Sequence, residues 1–224
     1  MAQYNRIDVV LEMERTGIVP VFYDADINTC KQVLKACYDG GIRVFEFTNR
    51  GDFAHEIFAE LNKFALSTMP GLILGIGSIV EPATAGLYMQ LGANFIISPL
   101  VNEDVAKTCN RRKVAWIPGC ATLSEISQAE ELGAEVVKLF PAAQVGGPDY
   151  VKAVKAPCPW TRIMPTGGVS TDAENLKAWF GAGVHCVGIG SNLFVKTNGQ
   201  YDYPAITAKV QEALKTVSQI RGNV

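Results

Sequence analysis

Eight short runs rich in Val, Ile and Phe recur along the chain, and each is followed by a longer segment with helical patterning. The runs cover residues 18–23, 42–48, 72–77, 94–98, 114–118, 135–140, 162–166 and 185–190. They are short and often apolar on both faces, which fits parallel strands buried on both sides better than half-exposed antiparallel ones. The segments between them carry helix punctuation. Thr122-Leu-Ser-Glu125 and Thr171-Asp-Ala-Glu174 have the spacing of a capping box, and Glu81-Pro82 places a proline where a first helical turn tolerates it. Glycines at 40, 41, 92, 133, 181 and 183 stand where helices end and the next strand begins, positions that favour a left-handed residue. Further helices are expected over 7–16, before the first strand, and over 204–220. Eight such units in about 200 residues predict a closed (β/α)8 TIM barrel with an extra N-terminal helix. An open doubly wound sheet is the alternative, since one misassigned strand changes the count.

Composition narrows the function classes. With 224 residues, 48% of them hydrophobic, the chain can bury one large core, and no linker or low-complexity stretch divides it. A single domain over 1–224 is expected. Twenty Lys and Arg against 22 Asp and Glu leave a net charge of −2, so no global basic field marks a nucleic-acid binder. No apolar stretch approaches a membrane span, and the opening residues lack the apolar core of a secretion signal. The two histidines, His55 and His185, cannot assemble an imidazole-built zinc site. The six cysteines form no Cys-x-x-Cys pair and are expected as reduced, buried thiols of a cytoplasmic protein.

In a barrel of this kind the working face lies at the C-terminal ends of the strands. Strand alternation places Val44, Glu46 and Thr48 on one face, with Arg50 continuing the parity. Glu46 is then either half of a structural pair with Arg50 at the rim or a general base beside an anion-binding guanidinium, because a carboxylate in so apolar a run needs a partner or a solvated cavity. Lys138 sits in an equally apolar run. Lost solvation favours its neutral amine, which can attack a ketone and form a Schiff base. A lysine snorkelling from the strand end, or one paired with Glu46, fits the same spacing. Pro165-Thr166-Gly167-Gly168 and Gly188-Ile189-Gly190-Ser191 follow the last two strands, where such barrels recurrently bind phosphate. Gly75-Ile76-Gly77-Ser78 ends the third strand, either as a plain glycine turn or as a turn that faces the Ser78 hydroxyl to the same pocket.

These motifs resemble those of the 2-keto-3-deoxy-6-phosphogluconate / 4-hydroxy-2-oxoglutarate aldolases, over nearly the whole chain. The resemblance is carried by Glu46-Phe47-Thr48-Asn49-Arg50, Gly75-Ile76-Gly77-Ser78, Ile97-Ser98-Pro99, Ile117-Pro118-Gly119, Lys138-Leu139-Phe140-Pro141-Ala142 and Pro165-Thr166-Gly167-Gly168-Val169. It implies a class I aldolase that yields pyruvate, a homotrimer, with no metal and no cofactor. Lys138 would be the Schiff-base nucleophile and Glu46 the proton shuttle. Arg50, Ser78 and Thr166 would hold the substrate carboxylate with Pro99 at its border, and Gly167, Gly168, Gly190 and Ser191 would take a distal phosphate. The expected reaction is cleavage of a 2-keto-3-deoxy-6-phospho sugar acid. 4-Hydroxy-2-oxoglutarate and 2-keto-3-deoxy-6-phosphogalactonate are alternative substrates. A metal-dependent aldolase, a phosphate-binding barrel isomerase and a non-catalytic phosphosugar-binding protein are alternative classes. The chain departs from the family pattern at Asn49 and Gly51, where Leu and Thr are common, and at Ser78, Ala143 and Ile189.

Overall fold

The computed structural model describes residues 2–222, so Met1, Asn223 and Val224 of the expected 1–224 unit lie outside it. Nine short strands surround one axis: β1 (Ile18–Phe22), β2 (Val44–Thr48), β3 (Ile73–Gly77), β4 (Phe95–Ile97), β5 (Ala115–Ile117), β6 (Gly119–Cys120), β7 (Val137–Leu139), β8 (Ile163–Pro165) and β9 (Val187–Ile189). Pairing is parallel throughout, in the orders β5-β4-β3-β2-β1-β9 and β6-β7-β8. β5 falls inside the fifth expected run, 114–118, and β6 extends that strand beyond it. Pro118 has no N–H to continue the ladder, so the strand breaks there. The break hands the edge over: Ser98 N–H donates to the Ile117 carbonyl on one side, and Lys138 N–H donates to the Pro118 carbonyl, 2.8 Å away, on the other. The last gap is joined by a bridge between Thr166 and Gly188 and by the His185 N–H on the Ile163 carbonyl. The ring is therefore a closed eight-stranded barrel, with β1 between β2 and β9, and not an open doubly wound sheet.

Helices α1 (Arg6–Thr16), α2 (Ile27–Asp39), α3 (Ala54–Thr68), α4 (Pro82–Gln90), α5 (Glu103–Arg111), α6 (Leu123–Glu131), α7 (Gly147–Lys155), α8 (Ala173–Gly181) and α9 (Tyr203–Ile220) complete the units. Left-handed glycines follow the four helices expected to carry them, at Gly41 (φ 111°), Gly92 (94°), Gly133 (90°) and Gly183 (88°), and Gly17 (76°) ends α1 in the same way. Thr122 and Glu125 form the expected capping box of α6. The one expected at Thr171–Glu174 is absent. There the cap is Asp172, and it makes no side-chain cap bond, because Ser170 takes both the Asp172 carboxylate and the Asn175 side chain. A hairpin of β10 (Lys196–Thr197) and β11 (Gln200–Tyr201), which the strand pattern did not anticipate, turns through Asn198 and Gly199, both at positive φ.

Two apolar cores result. The outer one lies between strands and helices. The inner one fills the barrel with Val19, Val44, Ile73, Phe95, Ile117 and Met164, the residues of one parity on their strands. α1 caps this inner core from the N-terminal end of the strands by inserting Val9, Val10 and Met13. His185 fastens the cap, its Nε2 lying 3.0 Å from the Val10 carbonyl.

Candidate active site

Above the apolar layers, the same inward parity places Glu46 on β2 and Lys138 on β7, strands on opposite sides of the barrel. Glu46 is 0% exposed and Lys138 5%. Their side chains meet across the interior, with Lys138 Nζ 3.4 Å from Glu46 Oε1. Of the two structural pairings expected for Glu46, the structure contains that with Lys138 and not that with Arg50. The ammonium also lies 5.4 Å from the centre of the Phe140 ring. Nearly all buried polar atoms in folded proteins have partners. Here Glu46 Oε2 and Thr166 Oγ1 have none, and both are residues of the inward parity at the C-terminal end of the barrel. Hydrogen-bonding capacity left unused in a buried site is capacity for a ligand.

The glycines of the expected loops make this room. A Cβ on Gly77 would lie 1.8 Å from Glu46 Oε1, and one on Gly188 would lie 2.3 Å from Thr166 Oγ1. A Cβ on Gly75 would strike the Phe95 ring, and one on Gly119 the Pro99 carbonyl. Gly75, Gly77 and Gly188 thus serve first to admit the side chains of neighbouring strands.

Arg50 is exposed at the mouth, and its Nε donates to Ser78 Oγ at 3.3 Å. Ser78 adopts φ 63°, a conformation uncommon outside glycine, which turns its hydroxyl to the guanidinium. Pro99 is half-buried and Thr166 is 9% exposed. Gly167 (φ 94°) and Gly168 (φ 80°) make the turn after β8, and Gly168 packs against Ala143. The helix expected to follow them begins only at Ala173, since residues 169–172 form the Ser170–Asn175 turn. Gly190 and Ser191 lead into a single 3-10 turn, Ser191–Leu193, rather than a full helix. Any anion at these loops would therefore rest on backbone N–H groups more than on a helix dipole. Ile189 points away from the site into the outer core. His55 lies in the first turn of α3 and His185 at the opposite end of the barrel, so neither joins the site. Among the described residues no group of three or more His, Cys, Asp or Glu could hold a metal ion.

The surroundings of Arg50 left no mark in the spacing of the sequence. Asn49 Oδ1 accepts a 2.8 Å hydrogen bond from the Tyr88 hydroxyl, and the Tyr23 hydroxyl rests against Gly51. Asn49 and Gly51 stood out only as departures from a pattern, and neither tyrosine carried a sequence signal.

A model of the KDPG and KHG aldolase family matches residues 9–209. The 2-dehydro-3-deoxy-phosphogluconate aldolase of Treponema pallidum (strain Nichols) is 30% identical over 213 residues, 94% of this chain and 98% of the relative. The crystal structure of the 2-keto-3-deoxy-6-phosphogluconate aldolase of Zymomonas mobilis ZM4 with 3-phosphoglycerate superposes with a TM-score of 0.80 at 27% identity, covering 93% of this chain and 95% of that one. The KDPG aldolase of Legionella pneumophila, with pyruvate captured at low pH as a covalent carbinolamine intermediate, gives 0.79 at 25% identity over 90% and 96%. The match thus runs over most of the chain and of relatives of similar length, and the chain belongs to the KDPG and KHG aldolase family, as a class I aldehyde-lyase.

Proposed function

We propose that the chain, acting as one barrel domain, cleaves 2-keto-3-deoxy-6-phosphogluconate to pyruvate and glyceraldehyde 3-phosphate through a Schiff base on Lys138. The buried Lys138–Glu46 pair, with one carboxylate oxygen unpartnered, carries this reading. The neutral Lys138 amine attacks the C2 ketone to give a carbinolamine. Loss of water, with a proton delivered by Glu46, leaves an iminium. Glu46 then takes the C4 hydroxyl proton, the C3–C4 bond breaks toward the iminium, and the aldehyde departs. The enamine left on Lys138 is protonated at C3, and water hydrolyses the resulting imine to release pyruvate and the free amine. Arg50 and Ser78 hold the substrate carboxylate from the mouth, Thr166 Oγ1 supplies a further hydrogen bond, and Pro99 borders the pocket. A guanidinium suits a carboxylate because its donors match both oxygens.

The turn at Gly167 and Gly168, with Gly190 and Ser191 beside it, takes the distal phosphate on backbone N–H groups. The carbinolamine of the Legionella relative supports the covalent step, and the phosphorylated ligand of the Zymomonas relative supports a phosphorylated substrate. The six cysteines are free and all but Cys158 buried, which suits a cytoplasmic protein, and among the described residues no helix is long and apolar enough to cross a membrane. Phe53, Val80 and Leu100, exposed on three adjacent loops at one end of the barrel, supply apolar surface for assembly as a homotrimer.

Borohydride reduction in the presence of pyruvate tests the covalent step. A stable adduct is expected on Lys138, lost in Lys138→Ala and in Lys138→Arg, which keeps the positive charge facing Glu46 but does not deprotonate. Unmodified wild-type protein after this treatment would sink the proposal. Turnover of phosphorylated against non-phosphorylated keto acids then decides whether the loop at 167–168 is a phosphate site.

A further inference from the structure

Both residues flanking Arg50 are held by tyrosines from other elements. On β2 the inward parity belongs to Glu46 and Thr48, so Asn49 turns outward, toward α4. Its N–H donates to the Gly77 carbonyl at 2.9 Å, and its side-chain oxygen accepts from Tyr88, which is 0% exposed on α4 and set edge-on to Phe58. Burial pushes the Tyr88 phenol up to about 12, so its hydroxyl keeps the proton it donates. On the other side of Arg50, Gly51 gives up its side-chain volume. A Cβ there would lie 2.1 Å from the Tyr23 hydroxyl oxygen and 2.8 Å from Cζ, and Tyr23 is itself packed against Phe47. A leucine at 49 would leave the Tyr88 hydroxyl without its acceptor, and a threonine at 51 would displace Tyr23. The two departures noted in the sequence thus each have a structural counterpart.

We propose that Tyr88, through Asn49, and Tyr23, through the bare Cα of Gly51, are positioning residues that set where the Arg50 guanidinium meets the substrate carboxylate. This rests on the reading of Arg50 as the carboxylate clamp. Ser78, bonded to Arg50 Nε, fixes only the middle of the side chain. The backbone from which a long flexible side chain starts has to be fixed separately, and the two tyrosines do this at the residues before and after it. Neither touches the Lys138–Glu46 pair, so the brace governs affinity for the acid and not the rate of bond cleavage.

The test is the pyruvate concentration giving half-maximal borohydride trapping, together with KM and kcat for aldol cleavage, in the full-length chain. Tyr88→Phe and Asn49→Leu are expected to raise half-saturation and KM about threefold to tenfold, the range one neutral hydrogen bond accounts for, with kcat and maximal trapping retained. Gly51→Thr should raise them further, and Gly51→Thr combined with Tyr23→Val should recover most of the loss. In an Arg50→Ala background, Tyr88→Phe should add almost nothing, because the group it positions is gone. Unchanged half-saturation in correctly folded Tyr88→Phe and Asn49→Leu overturns the brace, as does an undiminished effect without Arg50. Calorimetric pyruvate binding in a Lys138→Ala background reads the carboxylate clamp without the covalent step. The brace therefore stands or falls there independently of whether wild-type protein forms the adduct.

Discussion

At Glu46 one carboxylate oxygen faces Lys138 and the other has no partner, so an amide at this position keeps the shape and removes the base. Glu46→Gln should still accumulate the reduced pyruvate adduct, more slowly, while kcat for cleavage falls by about 10²- to 10⁴-fold, the usual contribution of a positioned acid–base group. Gly77→Ala should cost about 100-fold in kcat although it replaces neither Lys138 nor Glu46. Its methyl would occupy the space of Glu46 Oε1, and misplacement by an ångström is enough for such a loss. Steady-state kinetics on both variants check these values. Lys138 and Glu46 were legible because a charge inside an apolar run is anomalous on sight, and strand parity says which way it points. Tyr88 and Tyr23 were not legible. A tyrosine within a helical pattern reads as core, and its contact with the residues around Arg50 exists only once α4 and β1 are docked beside β2.

Elements differ in how far local chemistry decides them. Thr122 meets both halves of the capping box of α6, and Thr122→Ala should cost ~1 kcal/mol, read as a fall of about 2–4 °C in Tm. Thr171, which has the same spacing, makes no cap bond, and Thr171→Ala should stay within about 0.5 kcal/mol. The two sequences look alike, and the difference lies in the competing side chains of Ser170 and Asn175. Strand ends ran one or two residues short of the apolar runs for a related reason, since pairing needs a neighbour in register and hydropathy does not report one.

The docking of α1 carries a pH dependence. Burial lowers the pKa of His185 below its usual 6.5, against the opposing pull of the Val10 carbonyl, with Glu14, Arg162 and Arg221 the nearby charges. The folded state therefore binds this proton less readily than the unfolded chain. Its contribution to stability is complete above pH 6.5 and is lost as pH falls through that value toward the lower folded pKa. Urea denaturation between pH 5 and 8 should show stability falling on the acid side, and His185→Gln should flatten that slope.

For the molecule as a whole, barrel closure was legible from the count of eight runs, whereas the way the ring closes was not. Pro118 divides one strand between two neighbours, and the Thr166–Gly188 bridge joins the last pair. Assembly belongs to this scale too. Light scattering behind size exclusion is expected to give three times the 24.2 kDa chain mass, and Phe53→Asp should shift it toward the monomer. A monomeric wild-type protein would remove the trimer from the proposed function.

The cap formed by Val9, Val10 and Met13 also fixes the traffic through the barrel. A tube stopped at one end is a cul-de-sac, in which whatever enters first and deepest leaves last. On the proposed path three carbons stay bonded to Lys138 once the C3–C4 bond has broken, so the aldehyde leaves before pyruvate can be freed. Product inhibition should record that order, with pyruvate competing directly against the sugar acid and the aldehyde inhibiting without competing.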